Sequence, residues 1–130
     1  MKERISAVII KNKKILLVTG YAETVYWTPG GKRDDNKKRT ETLKRELEEE
    51  ISVKIKKIIP YFSYNGINEI TKEKQKVYCY IVEISEKIIP KKEITKAKWF
   101  SKSDFEKGKV KLFPEMQKNL IPKLIKDRLL

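Results

Sequence analysis

Gly31-Lys32-Arg33-Asp34-Asp35-Asn36-Lys37-Lys38-Arg39-Thr40-Glu41-Thr42-Leu43-Lys44-Arg45-Glu46-Leu47-Glu48-Glu49-Glu50-Ile51-Ser52-Val53 is the stretch whose reading decides the fold. Its first part, Lys32 to Arg39, is polar and aperiodic and reads as an exposed loop. A helix is predicted to begin near Thr40. Leu43, Leu47 and Ile51 recur at four-residue steps and form the apolar stripe that a helix lays against a core. Five glutamates crowd into the ten residues from Glu41 to Glu50. Glu46 and Glu50 are four apart and Glu46 and Glu49 three apart, so they share a helix face and repel by roughly a few tenths of a kcal/mol per pair. The apolar stripe pins the helix, so these carboxylates are held in fixed relative positions on another face. A divalent cation would relieve their repulsion and gain several oxygen ligands. An ordinary solvated acidic face is the alternative. Gly30-Gly31, one loop upstream, weighs against it, because glycines let the backbone come close to a ligand and leave carbonyls free to point at it.

Working outward, Arg4 to Lys11 and Lys13 to Val18 alternate and are mostly apolar, with Asn12 in the tight gap, so they read as two strands joined by a hairpin-like turn. Trp27-Thr28-Pro29-Gly30-Gly31 is a turn signal. Val53 to Tyr64 reads as one or two strands, and Asn65-Gly66 as a turn or loop. Gln75 to Ile84 is apolar on both faces, as a central strand covered on both sides should be. Lys98 to Phe100 is a short strand. Ser101 is placed to cap a short helical turn through Glu106. Pro114 suits the first position of a terminal helix, where Met116, Leu120, Leu124 and Ile125 give an apolar face and Pro122 should kink or split it. The order predicts an α/β fold, a mixed β-sheet sandwiched between α-helices.

The 130 residues fit a single domain, 1–130, long enough to bury a core. One cysteine, Cys79, lies inside an apolar run and excludes a disulfide framework. The N-terminus has no secretory signal, and no apolar stretch approaches the roughly 20 residues of a membrane span. A soluble cytoplasmic protein with no membrane association is the expectation. The net charge of +13 favours polyanionic partners. The lysines are nevertheless spread along the chain, as compositional bias and solvation also produce, and no nucleic-acid motif accompanies them. Histidine is absent, which removes His-based triads and His metal sites together. The chemistry must use carboxylates, Lys, Arg, Tyr, Ser or Thr, and a metal must be a hard cation, Mg²⁺ or Mn²⁺.

The 31–53 segment resembles the Nudix box, the 23-residue signature of the Nudix (MutT-like) hydrolases. Gly31 takes the first position, Arg45-Glu46-Leu47-Glu48-Glu49-Glu50 the central core, and Val53 the aliphatic end. Trp27-Thr28-Pro29-Gly30 also looks like the family, as does Glu93-Ile94 followed by Trp99-Phe100. Lys37 stands where the box carries its first Glu, and Ser52 where it carries its last Gly. Asp34, Asp35 and Glu41 are the carboxylates available to replace that Glu, whose role in the family is to support the site through the box Arg.

The resemblance implies Mg²⁺-dependent hydrolysis of a diphosphate linkage in a nucleoside diphosphate-X substrate: an NTP, a dinucleoside polyphosphate or a nucleotide sugar. It implies that Glu46, Glu49 and Glu50, with the Gly30 carbonyl, hold one to three metal ions, and that Arg45 orients the glutamates. The proton acceptor is expected at Glu49 or Glu93, with Glu69 and Glu73 as further loop candidates; Lys98 stands where some members carry another carboxylate. Lys32 and Arg33, with Lys37 and Lys38, are placed to grip substrate phosphates or are solvated loop charges. Trp27, with Tyr26, Tyr61 and Phe62, offers a ring for a base to stack on or belongs to the core. The alternative is a catalytically weakened Nudix domain that binds nucleotide or RNA without hydrolysis. A monomer or homodimer is expected.

Overall fold

The structure is a computed structural model that describes residues 1–85 and 87–130. Chain order is β1 (Lys2–Val8), β2 (Ile10–Lys11), β3 (Lys14–Gly20), β4 (Gly30–Lys32), α1 (Arg39–Ile51), β5 (Ile55–Ile67), β6 (Lys74–Ile84), β7 (Ile94–Ser101), α2 (Lys102–Glu106) and α3 (Pro114–Lys126). The strands form a four-stranded sheet in the order β4-β1-β6-β5 and a three-stranded sheet in the order β2-β3-β7. β1 pairs antiparallel with β4 and parallel with β6, so the sheet is mixed.

Side chains alternate along β1 and β3 as the two-residue period requires. Ile5, Ala7 and Ile9, with Leu16 and Val18, pack against Leu43, Leu47 and Ile51 of α1. Val8, Ile15 and Leu17 turn the other way, with Val77 and Cys79, to meet Met116, Leu120 and Leu124 of α3. The strands are therefore sandwiched between α1 and α3, as predicted. Leu43, Leu47 and Ile51 are fully buried, and burial of each stabilises the docking of α1 by roughly 1.5–3 kcal/mol. No helix among the described residues is long and apolar enough to cross a membrane.

Several expectations need correction. The strand expected from Arg4 to Lys11 divides after Val8. β1 has β4 on one side and β6 on the other, so no edge is left for β3, and only Ile10–Lys11 forms the hairpin. Asn12 and Lys13, both at positive φ, supply its two-residue turn. Asn65-Gly66 is not a turn but lies inside β5, paired with Lys76 and Gln75. The reversal falls at Asn68, whose Oδ1 accepts from the N–H groups of Ile70 and Thr71. Pro122 does not split α3, which runs through it. The carbonyl it leaves unbonded belongs to Lys118, an exposed residue open to water. The predicted start of α1 near Thr40 and the short helix capped by Ser101 both hold; Ser101 and Asp104 form a reciprocal capping box.

Candidate active site

A cleft of about 340 Å³ opens over the four-stranded sheet. Strand order lays out its contents. At the β4 edge stand Gly30 and Gly31 with Glu46 and Glu50 of α1 above them. One strand inward is Arg4 of β1, then Val77 of β6, then Tyr64 of β5. Trp27 forms one wall, and Phe113, Glu115 and Met116 at the start of α3 form another.

The backbone requires glycine at the first position of the pair, and the second lies tight against a side chain. Gly30 has φ +145 and a Cβ there would fall 1.9 Å from the Ile5 carbonyl oxygen. A Cβ on Gly31 would fall 2.6–2.9 Å from the Glu46 carboxylate, so the missing side chain is what admits that carboxylate. The Gly30 N–H donates to Glu50 Oε1 at 2.9 Å. Glu50 is 4% exposed, and burial pushes its carboxyl up to about 7, against the Gly30 hydrogen bond and the charge of Arg4, which pull it down; the nearby Glu46 and Glu93 push it up further.

The helix divides the three box glutamates. At about 100° per residue, positions 46 and 50 lie about 40° apart around α1, while position 49 lies about 60° from 46 on the side away from 50, about 100° from it. Glu46 and Glu50 line the cleft; Glu49 does not. Glu49 is held by Arg45 Nη1 at 2.6 Å and by Lys92 Nζ at 3.3 Å. Among the described residues no three acidic or thiol side chains already stand close enough together to form a metal cluster.

Arg45 is the hub beside the cleft. Its Nη2 donates to Glu46 Oε1 at 2.6 Å, and its Nε and Nη2 grip both oxygens of Asp34 at 2.8 Å. This bidentate bond is the main reason the guanidinium is held above its ordinary pKa and the Asp34 carboxyl below its own. Asp34 is thus the loop carboxylate that holds Arg45, and Asp35 and Glu41 make no such contact. The loop delivers Asp34 there: its N–H donates to Thr42 Oγ1, and its carbonyl accepts from the Lys37 N–H.

Glu93 lines the same cleft as Glu46 and Glu50. The segment leading to it is tied to the end of α1, with Ile89 N–H on the Ile51 carbonyl and Lys91 N–H on that of Glu50. Glu69 also lines the cleft, whereas Glu73 pairs with Lys2 outside it. Of the residues expected to contact substrate, Trp27 lines the cleft. Lys32 lies in an adjoining depression that shares Arg4, Asn68 and Gln75 with the cleft, and Arg33 bonds Glu3 and the Lys37 carbonyl. Tyr26 packs edge-on against Phe100 in the core, and Tyr61 and Phe62 pack with the α3 side. Arg4, Tyr64 and Glu115 were not anticipated from the sequence. They come from three distant segments; strand register brings Arg4 and Tyr64 to one face, and the docking of α3 adds Glu115.

A family model described as NUDIX domain matches residues 1–124. Among curated proteins, none matches the chain. Solved structures do. The E. coli ORF135 protein superposes with a TM-score of 0.77 at 21% identity, over 98% of this chain and 93% of that one. A MutT described from Aliivibrio salmonicida and Vibrio cholerae gives 0.75 at 15%, over 97% and 98%. The NUDIX domain of Shewanella oneidensis NrtR, solved with ADP ribose, gives 0.74 at 19%, over 98% and 88%. At these identities the likeness is one of fold.

Proposed function

The chain belongs to the NUDIX family of pyrophosphohydrolases, and on that premise we propose that it hydrolyses a diphosphate linkage in a nucleotide-like substrate with the help of Mg²⁺. The observation that carries this reading is the pairing of a buried Glu50 with Glu46 over Gly30-Gly31, with Arg45 fastened to Glu46 and to Asp34.

The residues fit a hard cation. Glu50 is a desolvated carboxylate with a single hydrogen-bond donor among the described residues, and Glu46 lies beside it against a glycine. Such an all-oxygen donor pair is left electrostatically incomplete without a cation. Glu46 and Glu50 would hold the metal, with the Gly30 backbone adjoining and Glu49 available once it leaves Arg45 or Lys92. The ion supplies charge neutralisation of the diphosphate and a more acidic water.

Arg45 keeps Glu46 aimed into the cleft through a charge-assisted bond, and Asp34 keeps Arg45 in place. Glu93 is the proton acceptor. It faces the cleft without an ion-pair partner among the described residues, while Glu49 is engaged by two cations. Trp27 and Phe113, with ring centroids 6.0 Å apart, offer a stacking surface for the nucleoside end. Lys32 and Arg33 lie outside this path, where they act on substrate only as a general positive field. A ligand of the ADP-ribose kind, as carried by the NrtR domain, is one diphosphate that such a cleft would accept.

The test is incubation with Mg²⁺ and a panel of nucleoside triphosphates, dinucleoside polyphosphates and nucleotide sugars, with release of phosphate and pyrophosphate measured beside Glu50→Gln and Glu93→Gln. Turnover that falls by at least about a hundredfold in Glu50→Gln supports the reading. Metal-independent nucleotide or RNA binding with no turnover on any member would replace it with a binding domain.

A further inference from the structure

A second concavity lies further along α3 and shares no residue with the cleft. It is a groove of about 500 Å³ between α3 and the stretch from Phe105 to Leu112. Leu112 and Ile121 are buried at its floor. Phe105, Val110 and Ile125 stand half-buried along it, and Pro122 is exposed. The wall facing α3 is fixed by its own backbone. The Gly108 N–H donates to the Phe105 carbonyl, the Lys109 N–H to that of Asp104, and the Lys111 carbonyl accepts from the Tyr26 N–H. Pro122 costs α3 a hydrogen bond, and its ring lines the groove and not the core. Lysines border both walls. Lys107 and Lys109 flank Gly108, which lines the groove. Lys118, Pro122 and Lys126 are spaced four apart and form one row along α3. All four lysines are exposed. The ion pair of α3 is Lys123 with Asp127, and none of the four has an ion-pair partner among the described residues. Glu106 is the one acidic residue in the lining among the described residues.

We propose that this groove docks an acidic amphipathic helix of a partner protein. An apolar trough bordered by unpaired ammonium groups is complementary to a segment with an apolar stripe and carboxylates on its flanks. The stripe gives affinity by burial, and the charges give orientation and rejection of wrong partners. The partner segment is helical because the groove offers no strand edge. One wall is a helix, bonded within itself, and the other spends its backbone groups on α2 and Tyr26. A docking segment must therefore satisfy its own backbone, as a helix laid in a groove does through anchors at i, i+3, i+4 and i+7. A second copy of this chain fits poorly, since it would bring the same lysines against these in a molecule of net charge +13. A bilayer fits poorly as well. Insertion needs apolar side chains that protrude, and Met1, Tyr21, Ile59, Ile67, Ile70 and Ile89, the large ones exposed among the described residues, all lie outside the groove.

The inference stands apart from the hydrolase reading, and its test needs no turnover. The probe is a fluorescently labelled peptide with leucine at helical positions i, i+3, i+4 and i+7 and glutamate elsewhere. Its binding to the full chain is followed by anisotropy, beside the same peptide with lysine in place of glutamate. The acidic peptide is expected to bind at least about tenfold more tightly, and to weaken as NaCl is raised. Lys109→Glu combined with Lys118→Glu should weaken it by at least about tenfold. Pro122→Glu sits at an exposed position and restores a helical hydrogen bond, so circular dichroism should show the fold kept. It should weaken the acidic peptide by a similar factor, whereas Pro122→Lys should not weaken it. Amide shifts on titration should fall within residues 105–112 and 117–126. No saturable binding of the acidic peptide, equal binding of the two peptides, or shifts centred elsewhere would overturn the docking groove. A dimer in light scattering that Pro122→Glu dissociates would overturn it in favour of a second copy. Sedimentation with phosphatidylglycerol vesicles, lost in the lysine variant, would overturn it in favour of a bilayer.

Discussion

Arg45 and Asp34 show how a single residue's partner can be open in sequence and fixed by the fold. The glutamates and Arg45 were legible because helical spacing and the resemblance both point to them. The partner of Arg45 was not, because Asp34, Asp35 and Glu41 are equivalent carboxylates until the loop's path is known. That path depends on tertiary closures, chiefly Arg33 Nε on the Lys37 carbonyl and the Asp34 N–H on Thr42. Removing a hydrogen-bonded supporter of a metal-binding carboxylate lowers activity by about 10- to 100-fold. Asp34→Asn is therefore expected to lower kcat by that factor while thermal denaturation shifts little, since the pair is partly exposed. Lys37→Glu alone should change kcat by less than about threefold, because Arg45 is already satisfied. In the Asp34→Asn background the same change should recover most of the loss. Steady-state kinetics on the four proteins checks this, and no recovery in the double variant would mean that Lys37 does not stand within reach of Arg45. Gly31→Ala places a methyl against the Glu46 carboxylate, which must swing aside, and is expected to lower kcat in the same steady-state assay.

At the scale of elements, what was legible is what local chemistry decides: the Ser101 cap, Pro114 at the start of α3 and the stripe of α1. What was not legible is what a neighbour decides, as where β1 gives way to β2, or where Asn68 displaces the turn expected at Asn65-Gly66. Ser52 is intermediate. It ends α1 in the left-handed conformation, φ 62, where glycine is preferred. Its hydroxyl donates to the Ile89 carbonyl at 2.9 Å and offsets that strain. Ser52→Gly should thus be near neutral, while Ser52→Ala keeps the strain, loses the bond and costs about 1 kcal/mol by urea denaturation. Glu3 ties β1 to the first residue of α1 through Arg39, which also stacks on Tyr78 at 3.8 Å. The Arg39 hydrogen bond is the main cause holding the Glu3 carboxyl below its ordinary value, outweighing burial. A depressed carboxylate contributes stability that is present above its unfolded pKa, about 4.3, and is lost as pH falls through the folded value. The destabilisation of Glu3→Gln relative to the parent is expected to be about 1–2 kcal/mol at pH 7 and to shrink toward zero near pH 3. A difference that stays constant with pH would show that the tie is not electrostatic.

The whole molecule carries +13 of formal charge, yet Glu46, Glu50, Glu69, Glu93 and Glu115 line its principal cleft beside a single arginine. A basic body with an acidic cleft is suited to drawing in a polyanion and a divalent cation together, the field acting at long range and the carboxylates at contact. In the absence of metal the cleft costs stability above about pH 7, where Glu50 is charged while desolvated and reached by one N–H donor among the described residues. A cation that binds only the folded chain stabilises it, by about 2.7 kcal/mol at a hundred times its Kd. Thermal denaturation should therefore rise with Mg²⁺ concentration and fall back on chelation. Glu50→Gln separates this from a nonspecific salt effect. The amide oxygen can still accept from Gly30, but no charge is buried, so the variant in chelator should be more stable than the parent by about 1–3 kcal/mol at pH 8. It should also lose most of the Mg²⁺ increment, while equal ionic strength supplied as NaCl moves both proteins alike. A variant that is less stable than the parent without metal, and still gains as much from Mg²⁺, would place the cation away from Glu50 and take the buried carboxylate as a purely structural group.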